Sequence, residues 1–201
     1  MAAGVLGLVA VVGTLAGHPA SILPLVVGVA FCLYFFRDPE RTPPPGDRLV
    51  VSPADGRVVA VVPEADVRPL GGPATRISIF MSPLDVHVNR NPVSGSVEHV
   101  EHTAGKFRAA FADKASLDNE RNAVILDAGG KRYVLVQIAG ALARRIVCRI
   151  APGDRVERGA RFGMIMFGSR VDLFLPAGVV PRVRLGDRVH AGTSVVAEVT
   201  A

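Results

Sequence analysis

Three short polar segments interrupt otherwise apolar runs, and each carries a side chain able to take part in chemistry. His87 lies in Phe80-Met81-Ser82-Pro83-Leu84-Asp85-Val86-His87-Val88-Asn89-Arg90-Asn91-Pro92, where an apolar run passes into a polar turn. Histidine is the side chain best suited to proton transfer near neutral pH. Asp55 sits in Ser52-Pro53-Ala54-Asp55-Gly56, an acid in a tight turn, although Asp-Gly is also ordinary turn chemistry. Ser169 follows Gly168 at the end of the apolar run Phe162-Gly163-Met164-Ile165-Met166-Phe167 and leads straight into Arg170-Val171-Asp172. Spacing alone reads this pair as a glycine bulge beside a hydroxyl. It is not a nucleophile elbow, because Gly-x-Ser-x-Gly is absent and no helical pattern follows. His18, His99, His102 and His190 show no ligand spacing with one another or with cysteine, so no metal site is expected.

Short β-type runs separated by turn residues must position these groups. Strands are expected at 48–51, 57–62, 76–81, 123–128, 132–138, 145–150 and 171–175, with Gly129-Gly130 as a hairpin turn. Helical periodicity is poor except around 103–117, so the domain reads as mainly β. An internal repeat supports that reading. Gly153-Asp154-Arg155-Val156 with Gly159 recurs as Gly186-Asp187-Arg188-Val189 with Gly192, offset by 33 residues. Each copy is a turn followed by a strand, and the duplication predicts a flattened β-barrel or sandwich with two pseudo-symmetric, lipoyl-like hairpins.

The chain has 201 residues and a mass of 21.1 kDa, enough for one compact domain with an added segment. Its mean hydropathy of +0.35 is raised by the N-terminus. Residues 2–16 and 22–36 carry no charge and are separated by Gly17-His18-Pro19-Ala20-Ser21. Each arm is about 15 residues, roughly 22 Å as helix and short of a ~30 Å hydrocarbon core. The reading is an apolar helical membrane segment over 1–36, a hairpin or a kinked span, then a stiff linker over 37–47 and a catalytic domain over 48–201. A secretory signal does not fit, because the aromatic end of the segment runs directly into Arg37-Asp38-Pro39-Glu40-Arg41. Arg37, Arg41 and Arg48 place the domain on the cytoplasmic side of the cell membrane.

The net charge of +5 favours an anionic partner. With no Trp, two Tyr and no basic run interleaved with aromatics, nucleic acid is excluded and an anionic membrane surface fits. Cys32 and Cys148 both lie in apolar runs and form neither a disulfide framework nor a metal pair.

The string FGMIMFGSRVDLFLP, preceded by QIAGALARRIVCRIAPGDRVERG, resembles the cleavage region of the phosphatidylserine decarboxylases, in their short form. The likeness extends back through GKFRAAFADKASLDNERN, FMSPLDVHVNRNPVSG, SPADGRV and YFFRDPER, in order along nearly the whole chain. The resemblance implies a proenzyme that cuts itself between Gly168 and Ser169. Ser169 Oγ would attack the Gly168 carbonyl, which lacks an obstructing Cβ. Elimination and hydrolysis would leave a pyruvoyl group at 169, the covalent cofactor, in a heterodimer of fragments 1–168 and 169–201. A Schiff base with the headgroup amine would then convert phosphatidylserine to phosphatidylethanolamine. The resemblance gives His87 proton transfer and Asp55 a part in self-cleavage. It also shows a departure: long-form relatives carry a second histidine three residues after the first, and that position is Arg90 here. The base for processing is therefore open, as are headgroup specificity and assembly into a higher oligomer.

Two other readings remain. A serine hydrolase could use Ser169, His87 and Asp55 without cleavage. A membrane-tethered lipoyl-like module would bind without catalysis, but no lysine follows Lys131 to carry a prosthetic group.

Overall fold

The computed structural model describes residues 22–67, 70, 72–105, 119–140, 145–166 and 169–200. The helix expected near 103–117 falls largely outside them. The chain divides into two units, Met1–Arg37 and Asp38–Ala201.

In the first unit, α1 (Leu23–Phe35) covers most of the second apolar arm. Proline at its first turn costs no hydrogen bond, since the N–H groups there have no intrahelical partner. Arg37 closes the other end, donating from Nη1 to the Tyr34 carbonyl at 2.8 Å while its guanidinium lies 3.7 Å from the Tyr34 ring centre. Leu23, Val26, Val27, Val29 and Leu33 are exposed. Thirteen residues rise about 20 Å, and among the described residues no helix is long and apolar enough to cross a membrane. The arm at 2–16 lies outside the described residues.

The second unit is mainly β, and its strand pairs are antiparallel. In chain order the strands are β1 (Leu49–Val51), β2 (Gly56–Val67), β3 (Gly72–Met81), β4 (Val88–Arg90), β5 (Gly95–Thr103), β6 (Arg121–Ala128), β7 (Lys131–Ile138), β8 (Ile146–Cys148), β9 (Arg155–Val156), β10 (Arg161–Ile165), β11 (Ser169–Leu175), β12 (Val179–Pro181), β13 (Arg188–Val189) and β14 (Val195–Val199). An eight-stranded sheet runs β13-β2-β3-β11-β7-β6-β5-β9, beside three-stranded sheets β1-β14-β12 and β4-β10-β8. Alternation along the strands builds the core. Ile77, Ile79 and Met81 of β3 join Val171, Leu173 and Leu175 of β11, with Leu135, Val124 and Leu126 beyond. The opposite face of β11 carries Arg170 and Asp172, also buried and paired Nε to Oδ1 at 2.9 Å.

The repeat is reproduced contact for contact. Gly153 N–H donates to Val97 O and Gly186 N–H to Val58 O, each at 2.8 Å. Gly159 N–H donates to Asn91 O and Gly192 N–H to Ser52 O, again at 2.8 Å. These four glycines have φ of 95°, 93°, 81° and 77°, a conformation that disfavours any side chain. The segments they dock on form a second repeat that the sequence reading did not find. Ser52-Pro53-Ala54-Asp55-Gly56-Arg57-Val58 matches Asn91-Pro92-Val93-Ser94-Gly95-Ser96-Val97. A Cβ on Gly56 would lie 2.0 Å from Phe80 O, and one on Gly95 would lie 2.1 Å from Asp127 O, so both sites exclude side chains. Asp55 thus occupies the place that Ser94 fills in the other copy.

Candidate active site

Ser169 opens β11 in the middle of the large sheet, opposite Met81 of β3, and is fully buried. Its hydroxyl donates to Met81 Sδ at 3.3 Å. Gly168, the other half of the expected cleavage site, lies outside the described residues.

His87 follows the turn that ends β3. Asp85 builds that turn, its Oδ2 accepting from Ser82 N at 2.8 Å and Ser82 Oγ at 2.7 Å, while Oδ1 accepts from Arg188 Nη2 at 2.6 Å. The fully buried His87 ring has Nδ1 2.9 Å from the Asp85 carbonyl oxygen. A carbonyl only accepts, so Nδ1 carries a proton and Nε2 is the basic nitrogen of the neutral ring. β4 follows at once and pairs with β10, the strand leading toward Ser169, with Val88 opposite Met164. His87 and Ser169 are therefore both tied to the Met81 end of β3.

Asp55 belongs to a different cluster. Arg41 grips its carboxylate with both guanidinium nitrogens, Nη1 on Oδ1 and Nη2 on Oδ2, the latter at 2.8 Å. Ala191 N–H donates to Oδ1 at 2.8 Å, and His190 Nδ1 lies 3.3 Å from Oδ2. Burial pushes the Asp55 carboxyl up, but the bonds from Arg41, Ala191 and His190 outweigh it and hold the group below the usual carboxylate range. Asp55 is a fixed negative charge at neutral pH. It sits at the head of β2, which β3 separates from β11, so its backbone is about 10 Å from that of Ser169. Its described partners do not include Ser169 or His87.

This carboxylate makes a testable contribution to stability. Its ionised form is favoured by folding, so the stabilisation is complete above the unfolded value of about 4 and disappears as pH falls through the lower, folded value. Thermal unfolding from pH 7 to 2 should show wild type losing stability below pH 4 more steeply than Asp55→Asn. At neutral pH, Arg41→Ala should cost roughly 3 kcal/mol, because it strands a buried charge. Parallel curves for wild type and Asp55→Asn would contradict the assignment.

Arg41, one of the three arginines that follow the apolar segment, spends its charge inside the domain on Asp55. Arg90, where the resemblance led to an expected second histidine, is held by structural contacts. It is buried, with Nη1 donating to Gly159 O at 3.0 Å and Nη2 to Pro39 O at 2.9 Å and to Asp38 Oδ1 at 3.2 Å. Gly192 leaves room for it, since a Cβ there would meet Arg90 Cδ at 2.8 Å. The sequence reading missed Arg41 and His190 as partners of Asp55. Aligning the two repeat copies gives one signal, because the second copy carries His190 where the first has Glu157.

Comparison with known proteins matches the sequence to a family. The phosphatidylserine decarboxylase family model covers residues 29–197. The phosphatidylserine decarboxylase proenzyme of Nitratidesulfovibrio vulgaris is 53% identical over 169 residues, covering 83% of this chain and 77% of the relative. That of Pelobacter propionicus is 52% identical over 167 residues, covering 83% and 76%, and that of Granulibacter bethesdensis is 51% identical over 181 residues, covering 87% and 74%. The matched range includes Asp55, His87 and Ser169, and the chain belongs to the phosphatidylserine decarboxylase family.

Proposed function

We propose that this chain is a proenzyme that cuts itself before Ser169, converts that residue into a pyruvoyl group and decarboxylates phosphatidylserine to phosphatidylethanolamine. Besides family membership, the observation that carries the reading is the position of Ser169. It opens a central strand, with Ser169–Leu175 opposite Met81–Thr75 on one side and Arg170–Phe174 opposite Ile138–Val134 on the other. A break before it leaves 169–201 held by pairing with the larger fragment. Further along, β13 pairs with β2 and β14 with β1.

The chemistry balances within the chain. Ser169 Oγ bonds to the carbonyl carbon of residue 168 as that carbon's bond to the Ser169 nitrogen breaks, and the hydroxyl proton passes to the nitrogen. Loss of the Ser169 Cα proton then breaks Cβ–Oγ, leaving a carboxylate on the large fragment. Water replaces the freed nitrogen as ammonia. The surroundings suit the product, because the Ser169 side chain is buried against a neutral thioether and, among the described residues, no charged group is bonded to its hydroxyl. A ketone at this position supplies an electron sink for a substrate amine whose α-carbon loses carbon dioxide. His87 Nε2 moves the proton that this carbon regains, and Asp55 contributes fixed charge. A mass spectrum of the purified protein tests the reading. Two chains divided at 168/169, the smaller blocked at its N-terminus, are expected, and a single chain of 21.1 kDa in active enzyme would refute it.

A non-cleaving serine hydrolase fits less well. It would need an imidazole on Ser169 Oγ oriented by a carboxylate, whereas the hydroxyl bonds to sulfur and Asp55 is engaged by Arg41, Ala191 and His190.

The substrate is a two-chain lipid, so attachment of residues 1–36 to the cytoplasmic face of the cell membrane would add proximity. Support comes from the exposed apolar side chains of α1 and from the exposed Arg48. Deleting 1–36 should leave self-cleavage intact, since Asp38, Glu40 and Arg41 all remain. Turnover of bilayer substrate should fall at least tenfold while that of a short-chain soluble analogue is spared. Equal turnover of vesicles by both forms would remove the attachment role. The two repeat hairpins further support a flattened barrel of the lipoyl-like kind.

A further inference from the structure

A line of buried side-chain amides crosses the core and ends at Ser169. Asn122 Nδ2 of β6 donates to Gln137 Oε1 of β7 at 3.0 Å, and Gln137 Nε2 donates to Asn89 Oδ1 of β4 at 2.9 Å. Asn89 Nδ2 donates to Met81 Sδ at 3.8 Å, the same sulfur that accepts from Ser169 Oγ. All five residues are at most 2% exposed. Gly163 makes room for the line, since a Cβ there would lie 2.9 Å from Gln137 Nε2.

The bonds of this line run in one direction. Asn122 donates to the Gln137 oxygen, which turns the Gln137 NH2 group toward Asn89. Its bond to the Asn89 oxygen in turn aims the Asn89 NH2 group at the sulfur. Three amides inside a hydrophobic core are costly unless satisfied, and apolar side chains of the same shape would fill the space at no such cost. Among the described residues the line leads, through the Met81 sulfur, to the Ser169 hydroxyl. A thioether is a weak acceptor and no base, so it fixes the direction of the O–H bond without removing the proton.

We propose that Asn89, with its polarity set by Gln137 and Asn122, is a positioning residue for Ser169 and acts through the Met81 sulfur to which both donate. The inference rests on the reading of Ser169 as the self-processing residue. The amides hold the sulfur, and the sulfur holds the hydroxyl in the rotamer from which it attacks. A small misplacement of an attacking group costs on the order of 10–100-fold in rate.

Timed cell-free synthesis of the full chain, sampled on denaturing gels, measures the rate of cleavage. Met81→Leu conserves volume but removes the acceptor and should slow cleavage about tenfold with little change in Tm. Asn89→Ala should slow it severalfold, and by no more than Met81→Leu does. The decisive measurement is the double variant. If Asn89 acts through the sulfur, Asn89→Ala adds no further slowing in the Met81→Leu background, although it still lowers Tm. A purely structural Asn89 would slow both backgrounds by the same factor, which would overturn the proposal, as would a wild-type rate for Met81→Leu. Should Asn89→Ala fail to fold, Gln137→Met leaves Asn89 in place but frees its amide to turn. It should slow cleavage severalfold in the wild-type background and not at all in Met81→Leu, and an unchanged rate in the wild-type background would overturn the proposal. If the wild-type chain itself stays whole, the self-processing reading falls instead.

Discussion

Replacing Ser169 with alanine should leave the chain whole at 21.1 kDa and without decarboxylase activity, the largest effect expected of any single substitution. The hydroxyl is the sole group removed, and its described partner, the Met81 thioether, cannot take over the attack. The fold should survive, because Ser169 contributes to β11 mainly through its backbone and the lost bond is a weak one to sulfur. A gel, an intact mass and carbon dioxide release on phosphatidylserine vesicles check the three parts. If Ser169→Ala were cut normally, the bond would be opened by another residue or another protein, and position 169 would lose its role.

The second large effect is expected at His87. His87→Ala should lose about 10²–10⁴-fold in kcat, the range over which a positioned proton donor acts. Self-cleavage should still occur, since the proton returned to the substrate carbon is needed only in turnover. Removing a fully buried ring also leaves a cavity, so His87→Gln serves as a control that fills the space without the titration. If both variants turned over as wild type does, His87 would be a packing residue fixed to the Asp85 carbonyl and nothing more. If either failed to be cut, His87 would also serve processing, the role that the departure at Arg90 leaves open.

Most of the large sheet was legible in the sequence, because its strands are short β-type runs bounded by turn residues. The run expected at 171–175 lies within β11, that at 76–81 within β3 and that at 132–138 within β7. The strands that were not foreseen have physical reasons for being missed. β5 (Gly95–Thr103) places His99, Glu101 and His102 on a largely exposed surface, so its apolar signal is thin. β4 has three residues, Val88-Asn89-Arg90, all buried, and its polar side chains are satisfied by groups far away in sequence. The same distance hid the surroundings of Asp55. Its partners Arg41 and His190 stand 14 and 135 residues away, and no local pattern announces an ion pair closed by the fold. Ser169, His87 and Asp55 could each be named from motifs. That Ser169 rests on a sulfur and Asp55 on a guanidinium could be learned only from the packing.

If the chain is cut before Ser169 as proposed, the interleaving of 169–201 with the rest of the sheet decides how it can refold. Before the cut, β11 reaches its slot between β3 and β7 as part of one chain, in a search whose rate does not depend on concentration. After it, the same slot can be refilled only by an encounter between two molecules, one of which leaves unpaired strand edges exposed while it waits. Folding would then be first order in the precursor and second order in the cut form. Denaturation of a cut form would be, at low concentration, an event without return, and its lifetime would be governed by the height of its unfolding barrier rather than by an equilibrium.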